Sequence, residues 1–211
     1  MSETPRIVLD PSLRGPAAPD AFTPQLVREL LERYSRPGDT VLDPFAGHGT
    51  TLWVAEELGR VPLGLEIQAD RVEQSRRLLR NPEALIQADA RQLRQLGLPP
   101  VDLVLTSPPY MTRSGHPQDP MSGYSGHGAD YRSYLTEMTD VLLAASVLLK
   151  PGGRLVVNVA DLVTAGESTP IAADTAAILS ERLAPVEEVL VEWPEAASDA
   201  ARDVCLVYTN H

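Results

Sequence analysis

Two short segments of this 211-residue chain combine residue types that can do chemistry together. The first is Asp43-Pro44-Phe45-Ala46-Gly47-His48-Gly49-Thr50-Thr51. Gly47 and Gly49 let its backbone turn tightly and approach a ligand with no side chain intervening, and Asp43 offers an acceptor. No Gly-Lys-Ser/Thr follows, so it is not a Walker phosphate loop, and the third glycine of the dinucleotide fingerprint is absent. The second segment is Thr106-Ser107-Pro108-Pro109-Tyr110. Its prolines end a strand, fix the backbone and leave the Pro108 carbonyl without a helical or ladder partner, while Ser107 offers a second acceptor. Such a pair suits an exocyclic aryl amine. The lone pair of that nitrogen is delocalised into the ring, and acceptors that draw its two hydrogens localise the pair for attack. Tyr110 supplies a flat face for a planar substrate. The plain alternative is a proline turn with a capping serine and a core tyrosine.

The elements that must position these segments alternate along the chain. Five prolines between Pro5 and Pro24 read as an extended arm laid over a domain. Thr23-Pro24 then caps a helix running through Leu26, Leu30 and Leu31 to about Tyr34. The pattern predicts strands at Thr40–Asp43, Val61–Glu66, Ala84–Ala88, Val101–Thr106, Arg154–Ala160, Val186–Val191 and Val204–Tyr208. Between them it predicts helices at Thr50–Leu58, about Asp70–Leu79, Tyr131–Leu149 and Thr169–Leu183. The short polar stretch Glu192–Asp203 suits a hairpin. This is an α/β doubly wound sheet of seven strands, mostly parallel, with the last antiparallel. Residues 1–36 form the arm and a helix packed on the domain, 37–211 the domain itself, and 111–129 a loop over the pocket.

Such sheets bind ligands beyond the carboxyl ends of their strands. Two further acids stand there: Glu66 is placed to hold two ribose hydroxyls, and Asp89 to accept from an adenine amino group. Each has an ordinary role as helix cap or turn former, which for Asp89 taken singly is the favoured one. Together with the glycine loop they describe a pocket for an adenosine carrying a cationic amino-acid arm.

The two motifs resemble those of the S-adenosylmethionine-dependent DNA amino-methyltransferases of the N4-cytosine or N6-adenine type. Asp43 to Thr51 matches their FxGxG loop, Ser107 to Tyr110 their (Asp/Asn/Ser)-Pro-Pro-(Tyr/Phe) motif, and Phe22-Thr23-Pro24 the segment that covers the methionine end of the cofactor. The similarity runs from about Phe22 to Leu155. It implies a Rossmann-like class I methyltransferase with S-adenosylmethionine as cofactor. Phe22, Thr23, Asp43, Phe45, Ala46, Gly47, Gly49, Thr50, Glu66 and Asp89 would bind that cofactor, and Ser107, Pro108, Pro109 and Tyr110 would act on the acceptor. In that family a first-position serine leans toward cytosine N4. The only cysteine, Cys205, falls in the last strand, which speaks against C5-cytosine chemistry and excludes an internal disulfide.

Composition bounds the partners. The net charge is -11 and is uneven: residues 1–100 hold 12 arginines against 14 acids, and 101–211 hold 6 Lys+Arg against 15 acids. That balance argues against nonspecific polyanion binding. Arg71, Arg76, Arg77, Arg80, Arg91 and Arg94 are the residues from which a basic strip could form. DNA is thus one partner and a small aromatic amine, a peptide or an RNA base another, while a non-catalytic binding module is opposed by the intact Ser-Pro-Pro-Tyr. A homodimer would be one way to add charge. The loop 111–129 carries Gly115, Gly123, Gly126 and Gly128 and suggests a mobile lid. It also carries Arg113, His116 and His127, with Arg132 just beyond. Two histidines without a second motif do not make a metal site, and none is expected. No apolar run reaches the ~20 residues of a membrane span, and no secretory signal is visible, so a cytoplasmic location is expected.

Overall fold

Strand β1 (Arg6–Val8) is followed by α1 (Pro24–Tyr34), β2 (Thr40–Asp43), α2 (Thr50–Glu57), β3 (Val61–Glu66) and α3 (Ala69–Arg76). After these come β4 (Leu85–Gln87), β5 (Val101–Thr106), α4 (Tyr131–Ser146), β6 (Leu149–Thr164), β7 (Glu167–Thr169), α5 (Ile171–Leu179), β8 (Ala184–Glu192) and β9 (Ala200–Thr209). The computed structural model describes residues 4–10, 22–113, 118–125, 128–164, 166–192 and 200–210. Its strands form one sheet in the order β1-β8-β9-β6-β5-β2-β3-β4, with β7 beside β6. β9 runs antiparallel to both β6 and β8, whereas β2 is parallel to β3 and β5. The chain thus winds outward from β2 in both directions, and the switch between β2 and β5 is where a doubly wound sheet opens a crevice.

Side-chain alternation divides the core into two faces. On β9, Val204, Leu206 and Tyr208 join Tyr134, Met138 and Leu142 of α4 and Ile171 of α5. Cys205 and Val207, one residue out of phase, join Leu26, Leu30 and Leu31 of α1 and Val54 of α2. Burial on both faces explains why these strands read as apolar runs in the sequence. No helix among the described residues is long and apolar enough to cross a membrane.

The seven expected strands all form, and two more join them. β1 is not an arm laid over the domain. It extends the sheet, pairing Ile7 with Val191 of β8, and Ile7 and Leu9 are buried. Its partner is far away in sequence, so local pattern carries no trace of the pairing. β7 takes Thr169 out of the expected helix: Glu167–Thr169 folds back on Leu162–Thr164 across a turn at Gly166, and the helix starts only after Pro170. β6 is longer than expected because Lys150 to Gly153 continue it instead of only ending α4; a register shift beside β5 absorbs the irregularity. The third strand shortens to Leu85–Gln87, since Pro82–Ala84 form a 3-10 turn capped by Asn81. Of the joining segment after Glu192, residues 193–199 lie outside the described residues, as does most of the proline-rich stretch before Phe22.

Candidate active site

The carboxyl ends of β2 and β5 are tied by one short hydrogen bond, Thr106 Oγ1 donating to Asp43 Oδ1 at 2.6 Å. Because neighbouring parallel strands put their ends side by side, this bond brings the glycine loop and the proline turn to a common cleft. The cleft measures about 990 Å³ counting its open mouth, and both motifs line it, as does Phe22.

The loop after β2 is held from several sides. Asp43 Oδ1 also accepts the Phe45 N–H at 3.0 Å, the Ala46 N–H donates to Leu65 O of β3 at 2.8 Å, and the Gly47 N–H donates to Glu66 Oε2 at 3.0 Å. Gly47 (φ 52) is not crowded: a Cβ there would meet Phe45 O at 3.8 Å and the Arg71 guanidinium at 3.9 Å, ordinary contact distances. Gly49 differs. At φ 76 it precedes α2, and a Cβ would come within 3.0 Å of Ser75 Cβ on α3. Its smallness serves helix packing, and Gly49 does not line the cleft.

Two buried acids dominate the electrostatics. Burial pushes the Asp43 carboxyl up to about 6, against the lowering effect of the Thr106 and Phe45 donors. Burial also raises Glu66, offset by the Gln68 N–H, by the Arg71 charge and by the Gly47 N–H. Glu66 Oε1 accepts the Gln68 N–H at 2.7 Å, and each carboxylate oxygen keeps further acceptor capacity.

A titration follows from Asp43. Its folded pKa lies above its ordinary value, so the folded state holds this proton more tightly, and stability in the ligand-free protein rises as pH falls from 7 toward 5. The gain is roughly 1 kcal/mol, a few degrees of Tm. Thermal unfolding of Asp43→Asn should lack this part of the pH dependence. An unchanged pH profile in that variant would show that Asp43 is already ionised without cost.

On the catalytic side, Ser107 Oγ lies 3.3 Å from Tyr110 Oη, and burial keeps the Tyr110 phenol far above its ordinary range and hence neutral. Tyr134, buried on α4, donates to the Pro109 carbonyl at 2.7 Å. That bond fixes the turn. Cys205 is buried on β9, its thiol raised by burial, and does not line the cleft.

Thr23 and Asp89 do not line the cleft either. The Thr23 hydroxyl is buried without a hydrogen-bond partner and does not cap α1; only its backbone carbonyl does so, accepting from Val27 N at 3.0 Å. Asp89 caps the 3-10 turn Ala90–Gln95 and binds the Arg91 guanidinium at 2.7–3.0 Å. The backbone on either side, Ala88 and Ala90, lines the cleft in its place. Conversely, Ile67, Gln68 and Arg71 line it unforeseen, although the first two directly follow Glu66 at a strand end.

Three of the six arginines from which a basic strip could form are engaged within the protein. Arg76 donates to Leu85 O, Arg77 pairs with Glu73, and Arg91 bridges Asp89 and Glu137. Arg113, beside the proline turn, pairs with Asp174 at 3.0 Å and lies over the Tyr131 ring. Gly115, His116, Gly126 and His127 of the loop lie outside the described residues.

Residues 14–77 match the family model for DNA methylase of the N6/N4 type. The Type II methyltransferase M.MjaII of Methanocaldococcus jannaschii is 46% identical over 46 residues, 22% of this chain and 9% of that protein. Over these segments the chain is similar to the S-adenosylmethionine-dependent methyltransferases of the N4/N6 amino type. A tRNA (guanine(6)-N2)-methyltransferase of Thermus thermophilus is 33% identical over 155 residues, 68% of this chain and 39% of that protein. The crystal structure of TrmN from Thermus thermophilus superposes with a TM-score of 0.65 at 24% identity, covering 90% of this chain and 49% of that one. The chain spans less than half the length of these relatives.

Proposed function

We propose that this chain transfers the methyl group of S-adenosylmethionine to the exocyclic amino nitrogen of a nucleobase, cytosine N4 of DNA first. The observation that carries the reading is the Thr106–Asp43 hydrogen bond, which seats the glycine loop and the proline turn around one cleft. The donor set suits the cofactor: the carboxylates of Asp43 and Glu66 favour a cationic ligand, and the uncrowded Gly47 admits its backbone approach. Glu66 would take the ribose hydroxyls, while Asp43, Phe45, Ala46 and Thr50 would shape the amino-acid end beneath Phe22. When bound, the cofactor supplies an electrophilic methyl on a sulfonium.

The rest falls to the chain. Ser107 Oγ and the Pro108 carbonyl accept the two amine hydrogens, so that the nitrogen lone pair turns out of the ring plane. Tyr110 stays neutral against Ser107 and packs beside the base, and Tyr134 keeps the turn from shifting. With Arg76, Arg77, Arg91 and Arg113 engaged by partners within the protein, base recognition rests on stacking and edge contacts instead of phosphate contacts. Single strands, which need no base flipping, should therefore be used before duplexes. A second reading, guanine N2 in RNA, is favoured by the Thermus thermophilus tRNA relative.

The test is transfer from methyl-labelled cofactor to single-stranded DNA, duplex DNA and tRNA at low and high salt, followed by nucleoside digestion. Label in N4-methylcytosine supports the first reading. N2-methylguanosine in tRNA replaces it with the second, and absence of label from DNA and tRNA alike overturns both.

A further inference from the structure

The turn that follows the proline motif makes a wall of the same cleft. Pro120, Met121, Gly123 and Tyr124 line it together with Glu66 and Ile67. Asp119 builds the turn, its Oδ1 accepting the Met121 N–H at 3.0 Å and its carbonyl the Tyr124 N–H at 2.9 Å. Two observations show that the turn is pinned against the cofactor side of the cleft. Gln68 Nε2 donates to the Gly123 carbonyl at 3.0 Å, while the backbone N–H of the same residue holds Glu66. The approach is also so close that a Cβ on Gly123 would meet Ile67 Cγ2 at 2.8 Å.

Tyr124 adds a third. Among the described residues it is the one non-glycine with positive φ, at 61°. A bulky residue there costs about 1–2 kcal/mol. The turn itself would be met without strain by glycine or asparagine. An aromatic ring kept at a strained position, on the lining of a cleft, points to a contact with what the cleft holds.

Resting on the reading of this cleft as a cofactor site, we propose that Pro120–Ser125 is the outer wall of its nucleoside end and that Tyr124 grips the base ring of the cofactor. Glu66 takes the ribose on one side, so the base lies beyond it among Ile67, Ala88 and Tyr124. The catalytic turn and the nucleoside wall are then one continuous segment, latched to β3 through Gln68.

Calorimetry with S-adenosylhomocysteine and with adenosine tests this. Tyr124→Gly relieves the backbone strain, so Tm should rise while affinity for both ligands falls about five- to tenfold. A merely structural role would move stability and affinity together. Tyr124→Phe, which keeps the ring, should retain affinity within about threefold. Tyr124→Leu, which keeps bulk without a ring, provides the same readout should the glycine variant not fold. Unchanged affinity in the glycine and leucine variants would overturn the wall. So would a loss confined to S-adenosylhomocysteine with adenosine unaffected, since the contact would then lie at the amino-acid end. If wild-type protein bound neither ligand, the cofactor reading itself would fall, a result distinct from either.

Discussion

Ser107→Ala lowers turnover about a hundredfold and leaves affinity for S-adenosylhomocysteine unchanged. The magnitude is that of losing one preorganised partner of a reacting group. The separation follows from the geometry. Ser107 bonds to Tyr110 at 3.3 Å, whereas the glycine loop is anchored by Asp43, Leu65 and Glu66. The neighbouring Pro108 carbonyl remains, so the amine keeps one acceptor and residual activity persists. Single-turnover transfer to the preferred acceptor, with calorimetry on the same preparation, checks both halves. A variant that turns over normally would remove Ser107 from the reaction, and one that loses the cofactor would mean that the proline turn supports the donor instead of the acceptor.

Glu66→Ala does the reverse, weakening S-adenosylhomocysteine binding about a hundredfold, so that turnover is rescued in part by raising the cofactor concentration. Two charge-assisted hydrogen bonds to a ribose, at about 1.5 kcal/mol or more each, account for that loss. Glu66 also holds the N–H groups of Gly47 and Gln68 at 3.0 and 2.7 Å, so its removal loosens the glycine bend and the latch to Gly123 together. Glu66→Gln keeps one acceptor oxygen and should fall between wild type and alanine. Calorimetry that finds the alanine variant binding as tightly as wild type would take Glu66 out of the cofactor site. Together the two variants divide the cleft into an acceptor half and a donor half.

Certain parts of this arrangement were legible before any coordinates. Proline pairs and glycine pairs constrain the backbone within a few residues, so the turns after β2 and β5 could be read from their own composition. The same holds for β2, β5 and residues 155–160 of β6, whose apolar runs reflect burial on both faces. What could not be read depends on partners distant in the chain. Asp89 has the residue type and strand-end position of a ligand acid, but Arg91, itself paired with Glu137, engages it. Gly49 looks like part of a ligand loop, and Ser75, 26 residues later, is what requires it. The three-residue strands β1 and β7 are too short to carry a period of their own, and their pairing is set by β8 and β6.

The sequence by itself determined which chemistry is available here: a glycine bend, two strand-end acids and a serine beside a rigid proline pair, each specified by local covalent and steric rules. Only the tertiary structure decided which of those groups face one another. Side chains meet across a sheet through strand order and register, and these follow from long-range packing. That packing joined Thr106 to Asp43, withdrew Asp89 and Thr23 from the cleft, and brought Tyr124 up against it.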